Sequence, residues 1–242
     1  MHLANFLPSR LAARAGFIRR CLKDQSLVEQ VLDNQPFYAQ CTAEQTDLKS
    51  HFHNRLKLRS LSLDEGTMLF DVELNLLKEL VERSNSLPGP IIEIGTLFGY
   101  TTSRIALWRS PQKKIITVDN YCWNPWQLTP DMHHAMTCRF LHYLEASGQV
   151  EVKRMDKDEF FKSYRGEAPA LVFLDADHSY EATKADIEWA RNVGAKIISG
   201  HDYFAHCPGV GRAVEEAGGA IRHAGGVWAL KNAYWQSSAK AA

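Results

Sequence analysis

From Pro90 onward the sequence alternates short β-branched runs with stretches of helical period, and this alternation constrains the fold more than any other feature. The runs are PIIEIG, KIITVD, QVEVKRMD, ALVFLDAD and KIISGHD, followed by AIRHAG and GVWALK on either side of Gly225 and Gly226. Short β-branched runs separated by helical stretches suit a parallel sheet covered on both faces by its crossover helices. Five strand-then-helix units predict an α/β, doubly wound, mostly parallel sheet, and the last two runs predict an antiparallel hairpin at its edge.

Upstream, residues 64–84, DEGTMLFDVELNLLKELVERS, carry the period of an amphipathic helix closed by the turn signal NSLPGP. Residues 1–63 read as helices with little strand character and are expected to form a cap or lid, with 64–242 as the main domain. The basic stretch through Arg10, Arg14, Arg19 and Arg20 places Leu7, Leu11, Ala15 and Ile18 at helical spacing. It is read as a capping or dimer-forming helix, with a presequence or membrane-surface segment as the alternative.

Twenty-eight basic residues balance twenty-eight acidic ones, so no net field draws nucleic acid or an anionic membrane. The expected partner is a small molecule. Five scattered cysteines without a C-x-x-C pair fit neither zinc nor a disulfide framework and suit a reducing cytoplasm. No apolar run reaches the roughly 18 residues of a membrane span, so no integral membrane segment is expected.

In a doubly wound sheet, ligands bind beyond the carboxyl ends of the strands, near the point where strand order reverses. Glu93, Asp119, Asp156, Asp175 and Asp202 all lie at or just past predicted strand ends, so all five can converge on one crevice. The first unit, IIEIGTLFGYTTSRIALW, is a strand, a glycine-bearing turn and a helix. Gly95 and Gly99 are expected to let the backbone pass close to a ligand, and a helix starting near Tyr100 offers free N–H groups to an anion. Thr96 to Phe98 put bulk where a dinucleotide fingerprint needs its second glycine, which disfavours a nicotinamide dehydrogenase. Glu93 would repel a pyrophosphate but accept a hydrogen bond from an ammonium. Asp119 is placed to take the hydroxyls of a ribose. An amino acid joined to a nucleoside satisfies all three requirements, and S-adenosylmethionine is such a molecule.

EIGTLFGYTT resembles the first motif of class I S-adenosylmethionine-dependent methyltransferases. FLDADHSY resembles the fourth-strand motif of their metal-dependent O-methyltransferases of the catechol and caffeoyl-coenzyme A kind, and the segments through GHDYF and GVWALK resemble the bacterial macrolide-sugar O-methyltransferases. The resemblance spans roughly residues 64–232. It implies a Rossmann-like seven-stranded fold and a cofactor site formed by Glu93, Gly95, Thr96, Gly99, Tyr100, Thr101, Asp119, Asp156 and Asp175. It further implies a divalent cation, magnesium by preference, on Asp175 and Asp202, with His201 either a third ligand or the residue that orients the pair. The relatives carry Asp-Asn where this chain has His201-Asp202-Tyr203, and an imidazole in the shell would tilt the preference toward manganese or iron.

His178 stands where the catechol-type enzymes place a lysine base. It is read either as the base that deprotonates the acceptor hydroxyl or as a histidine preceding a helix capped at Ser179. Asp175 and Asp202 carry the alternative of simple helix caps, and Asp177 is expected to be one. Asp156 and Met155 face the adenine or belong to an ordinary loop. The aromatic stretch after Tyr121 suggests a lid from Trp123 to Trp126 and an acceptor with a ring or sugar. The expected activity is methyl transfer to a hydroxyl of a small phenolic or sugar-like molecule; metal-free N-methylation and non-catalytic cofactor binding are the competing readings. A homodimer is also expected from the resemblance.

Overall fold

The computed structural model describes Leu69 and residues 71–123 and 129–230. The cap expected over 1–63, the beginning of the 64–84 helix and the Trp126 end of the aromatic loop lie outside the described residues.

Seven strands form one sheet: β1 (Ile91–Ile94), β2 (Ile115–Asp119), β3 (Val150–Arg154), β4 (Leu171–Leu174), β5 (Ile197–Gly200), β6 (Ala220–Ala224) and β7 (Val227–Leu230). Their order is β3-β2-β1-β4-β5-β7-β6. The first five pair in parallel, whereas β7 pairs antiparallel with both β5 and β6. The sheet is thus the mostly parallel one the apolar runs predict, with the hairpin at one edge. The order reverses between β1 and β4, so the crevice beyond these two strands is where a ligand is expected.

Side chains alternate strictly across the sheet because successive residues of a strand point to opposite faces. Ile91, Ile115, Leu171, Phe173 and Ile197 pack with α1 (Asp71–Ser84), α2 (Tyr100–Trp108) and α3 (Pro130–Ala146). Ile92, Ile94, Val118, Val172, Leu174 and Ile198 pack on the other face with α4 (Lys157–Ser163), α5 (Tyr180–Asn192) and α6 (Pro208–Glu216). Helix α1 presents Leu76, Leu77, Leu80 and Val81 to the first core, where Leu69 joins them, and one charged residue of the helix, Glu73, is buried beside them. Its outer rim is tied to the hairpin by a bidentate pair in which Arg222 Nη1 and Nη2 donate to Glu79 at 3.0 and 2.8 Å.

Three non-glycine residues with positive φ occur among the described residues: Leu97 at 49°, Tyr121 at 60° and Asp202 at 59°. Each follows the carboxyl end of a strand, β1, β2 and β5 respectively. Left-handed backbone disfavours residues bearing a Cβ, and such outliers cluster at functional sites. Here they mark one rim of the sheet. Among the described residues no helix is long and apolar enough to cross a membrane.

Candidate active site

The turn after β1 is held by its neighbours on both sides. Gly95 N donates to Val118 O at 2.9 Å, and Asp175 N donates to Ile94 O at 2.7 Å. Strands β1, β2 and β4 therefore deliver Glu93, Asp119 and Asp175 to one rim. A Cβ at Gly95, whose φ is 99°, would lie 1.9 Å from the Asp175 carbonyl oxygen. At Gly99, with φ 81°, it would lie 2.8 Å from the Leu141 side chain. The two glycines are thus required by positive φ and by contacts within the protein, where the sequence suggested close approach to a ligand.

Glu93 points to the α1–α3 face and is completely buried. Its Oε2 accepts from Thr102 Oγ1 and from Thr117 Oγ1, the latter at 2.6 Å, while Oε1 has no hydrogen-bond partner among the described residues. Burial raises its pKa to about 8, against the lowering by the two threonine hydroxyls and with a further push from the Asp175 and Asp119 charges. A buried carboxylate oxygen without a partner is costly unless something fills the role. The sequence reading of Glu93 gives that oxygen an ammonium donor. Thr102 and Thr117 escaped that reading, because threonine in a β-branched run looks like an ordinary strand former.

Asp119 closes the loop. Its Oδ2 accepts from Thr96 N at 3.0 Å and Leu97 N at 2.8 Å, and its Oδ1 accepts from Tyr121 N at 2.6 Å. The carboxylate so placed holds Leu97 and Tyr121 in their left-handed conformations. Helix α2 begins at Tyr100 as expected, with Gly99 as its N-cap, no side-chain cap and no acid in its first turn. Its leading amides at Tyr100 and Thr101 suit a carboxylate. Asp156 lies two residues past β3 and caps α4, its Oδ1 accepting from Asp158 N at 2.8 Å. Asp177, expected as a cap, instead closes the turn before α5 by accepting from Ser179 N at 2.8 Å, ahead of the N-cap. Ser179 caps α5 as anticipated.

The ends of β4 and β5 bring together four groups that can bind a cation or move a proton. Ligand atoms of Asp175, His201 and Asp202 all lie within 4.8 Å of one another. His201 Nδ1 is 3.3 Å from Asp202 Oδ2 and 3.7 Å from Asp175 Oδ1. His178 Nε2 is 2.9 Å from Asp202 Oδ2 and 4.0 Å from Asp175 Oδ1. Asp202 caps no helix; its left-handed backbone turns the carboxylate toward the two imidazoles. Two oxygens and one nitrogen at this spacing fit a divalent ion of the first transition row or magnesium.

The electrostatics are those of alternating charges. Burial disfavours the charged form of His201, yet hydrogen bonds and charge from Asp175 and Asp202 push its pKa up to about 11. The His178 pKa is raised mainly by its hydrogen bond to Asp202, against partial burial. Burial opposes ionisation of Asp202, but the two imidazoles hold its carboxyl well below the usual range. Cys207 Sγ, 4.0 Å from Asp202 Oδ1, is a neighbour the sequence did not single out.

Comparison with known proteins agrees with this architecture. The sequence model of a family described as "Methyltransferase domain" matches residues 92–203, from β1 to just past Asp202. No curated protein matches the sequence. Among solved structures, an O-methyltransferase from Bacillus cereus in complex with SAH superposes with a TM-score of 0.55 at 17% identity, covering 84% of this chain and 96% of that one. The O-methyltransferase TomG from Streptomyces achromogenes, involved in tomaymycin synthesis and solved with SAM, gives 0.52 at 17% identity, covering 81% and 93%. A methyltransferase from Geobacter sulfurreducens gives 0.54 at 14% identity, covering 73% and 87%. The matched segment runs through β1, β2, β4 and β5, so the strands that carry the candidate site are similar to a methyltransferase domain, and the solved structures share the fold.

Proposed function

We propose that this protein transfers the methyl group of S-adenosylmethionine to a hydroxyl of a small phenolic or sugar-like molecule, with a divalent cation held by Asp175, His201 and Asp202. The observation that carries the proposal is the convergence of these three residues and His178 at the ends of β4 and β5, beside the Gly95–Gly99 turn. The donor supplies an electrophilic methyl on a sulfonium, and the cation supplies positive charge that acidifies the acceptor hydroxyl.

The remaining work falls to the chain. Glu93 Oε1 accepts from the donor's ammonium, the α2 amides at Tyr100 and Thr101 take its carboxylate, and Asp119 offers its outer lone pairs to the ribose. Thr96 lies between Asp119 and Glu93, joined to the latter through its 2.6 Å contact with Thr117. His178 takes the hydroxyl proton on Nδ1, while Asp202 accepts from its Nε2–H and orients the ring. Holding oxygen, carbon and sulfur in line supplies the rest of the acceleration. Balanced overall charge suits an acceptor other than nucleic acid.

The His178–Asp202 contact also favours a second reading, since a histidine backed by a carboxylate is a competent base without any metal. In that case an amine acceptor is served equally well. Calorimetric titration with S-adenosylmethionine, with and without magnesium or manganese, followed by methyl transfer to a panel of phenols, sugars and amines before and after chelation, separates the two. Metal-dependent transfer that disappears in Asp175→Ala supports the first reading. Chelation-resistant transfer supports the second, and cofactor binding with no acceptor in any class leaves a binding protein.

A further inference from the structure

We propose that Glu73 is the positioning residue of this site, holding His201 so that its Nδ1, and not its Nε2, faces Asp175 and Asp202. This inference rests on the metal-binding reading above. Glu73 belongs to α1, outside the segment that matches the methyltransferase family, and is completely buried on the helix's apolar face. Its Oε1 lies 3.3 Å from His201 Nε2 and accepts a hydrogen bond from Gly226 N at 2.7 Å. The imidazole therefore spans two acidic environments, Glu73 on one nitrogen and the Asp175–Asp202 pair on the other.

Three contacts hold the backbone and one edge of the ring. His201 N donates to Leu174 O at 3.0 Å, Trp228 Nε1 donates to His201 O at 2.9 Å, and Phe204 meets the ring edge-on at a centroid distance of 5.6 Å. The hairpin turn is cut to fit the same contact. A Cβ at Gly225 would lie 2.5 Å from Glu73 Oε1, and one at Gly226 would lie 3.0 Å from His201 Nε2. Two glycines in succession thus leave room for one carboxylate and one imidazole to meet behind the sheet edge.

The chemistry follows from the donor count of a histidine. A cation on Nδ1 requires the single remaining proton on Nε2, and that proton needs an acceptor. Glu73 supplies it. Carboxylates placed behind a ligand histidine fix its tautomer and orientation and strengthen it as a donor; removing them weakens metal binding by about 10- to 100-fold.

Manganese(II) is the probe, followed by electron paramagnetic resonance of the full chain, with binding of S-adenosylhomocysteine as the control for an intact fold. In the wild type, pulsed spectra should show nitrogen coupling from a directly bound imidazole. Glu73→Gln keeps an oxygen for Gly226 N and His201 Nε2 but removes the negative charge that strengthens the imidazole as a donor, so S-adenosylhomocysteine should bind unchanged while manganese binds about 10- to 100-fold more weakly. Gly225→Ala, which drives a methyl against the Glu73 carboxylate from the hairpin side, should weaken manganese in the same way. Wild-type manganese affinity in both variants overturns the role of Glu73 and leaves the metal site standing. Bound manganese without nitrogen coupling in the wild type removes His201 as a ligand and the proposal with it. Absence of manganese binding in the wild type refutes the metal reading itself.

Discussion

Replacing Glu93 by Gln should stabilise the protein at alkaline pH while weakening its hold on the cofactor. The carboxyl is completely buried, and burial, opposed by Thr102 and Thr117, lifts its pKa from 4.5 to about 8. Between those two values the unfolded chain has lost a proton that the folded chain still holds, so stability falls as pH rises from about 4.5 to about 8 and then levels off. At about 1.4 kcal/mol per pH unit, the accumulated penalty reaches at most about 5 kcal/mol, and relaxation around the site brings it nearer about 3. Gln carries no such penalty. Urea denaturation of both proteins from pH 5 to 9, without ligand, should give nearly equal stabilities at the acid end and a gap widening to a few kcal/mol in favour of the variant. The same variant loses a charge-assisted hydrogen bond to an ammonium, worth about 1.5–3 kcal/mol, so S-adenosylhomocysteine should bind about 10- to 100-fold more weakly. Parallel stability profiles would refute the buried-proton argument; unchanged binding would remove Glu93 from the cofactor site.

Gly95→Ala should be among the most damaging single changes in the rim, because its Cβ would sit 1.9 Å from the Asp175 carbonyl at a φ of 99°. A loss of about 3 kcal/mol or more in urea melts is expected, together with loss of cofactor binding. Asp202→Asn should preserve the turn, since Asn tolerates left-handed backbone, but should lower metal-free stability at neutral pH by about 1–3 kcal/mol through loss of the charge paired with His178 and His201, while divalent-ion binding falls steeply in titration. Lys157→Ala should strand the buried carboxylate of Asp186, now 2.7 Å from the Lys157 ammonium, and cost about 3 kcal/mol by denaturant melts at pH 8. Because burial already raises the Asp186 pKa to about 6, that cost should shrink on acidification to pH 5.

The centre of the sheet was legible because burial on both faces leaves apolar runs, and those in PIIEIG, KIITVD, ALVFLDAD and KIISGHD became strands, while QVEVKRMD became the partly buried edge strand β3. β6 is different. Its residues are mostly exposed, and only the Gly225-Gly226 turn before GVWALK revealed it as half of a hairpin. Asp175, His201 and Asp202 were legible as a group because acid and imidazole directly after apolar runs must emerge at the same sheet edge. The partners of Glu93 were not, since Thr102 and Thr117 are ordinary residues of a helix and a strand. Glu73 left a faint signal, a charge at the centre of the stripe formed by Leu69, Leu76, Leu77 and Leu80. Its meaning depends on His201, 128 positions later. No local pattern reports a contact of that span.

The contact between Glu73 and Gly226 joins points 153 positions apart. A ribosome therefore delivers the donor-binding turn, both acidic strand ends and the candidate base well before it delivers the hairpin that seats Glu73 against His201. A growing chain that has passed Asp202 but not Gly226 owns every reactive group yet lacks the brace behind one of them. If Glu73 braces His201 as proposed, that brace is seated only once the last two strands of the sheet have been made.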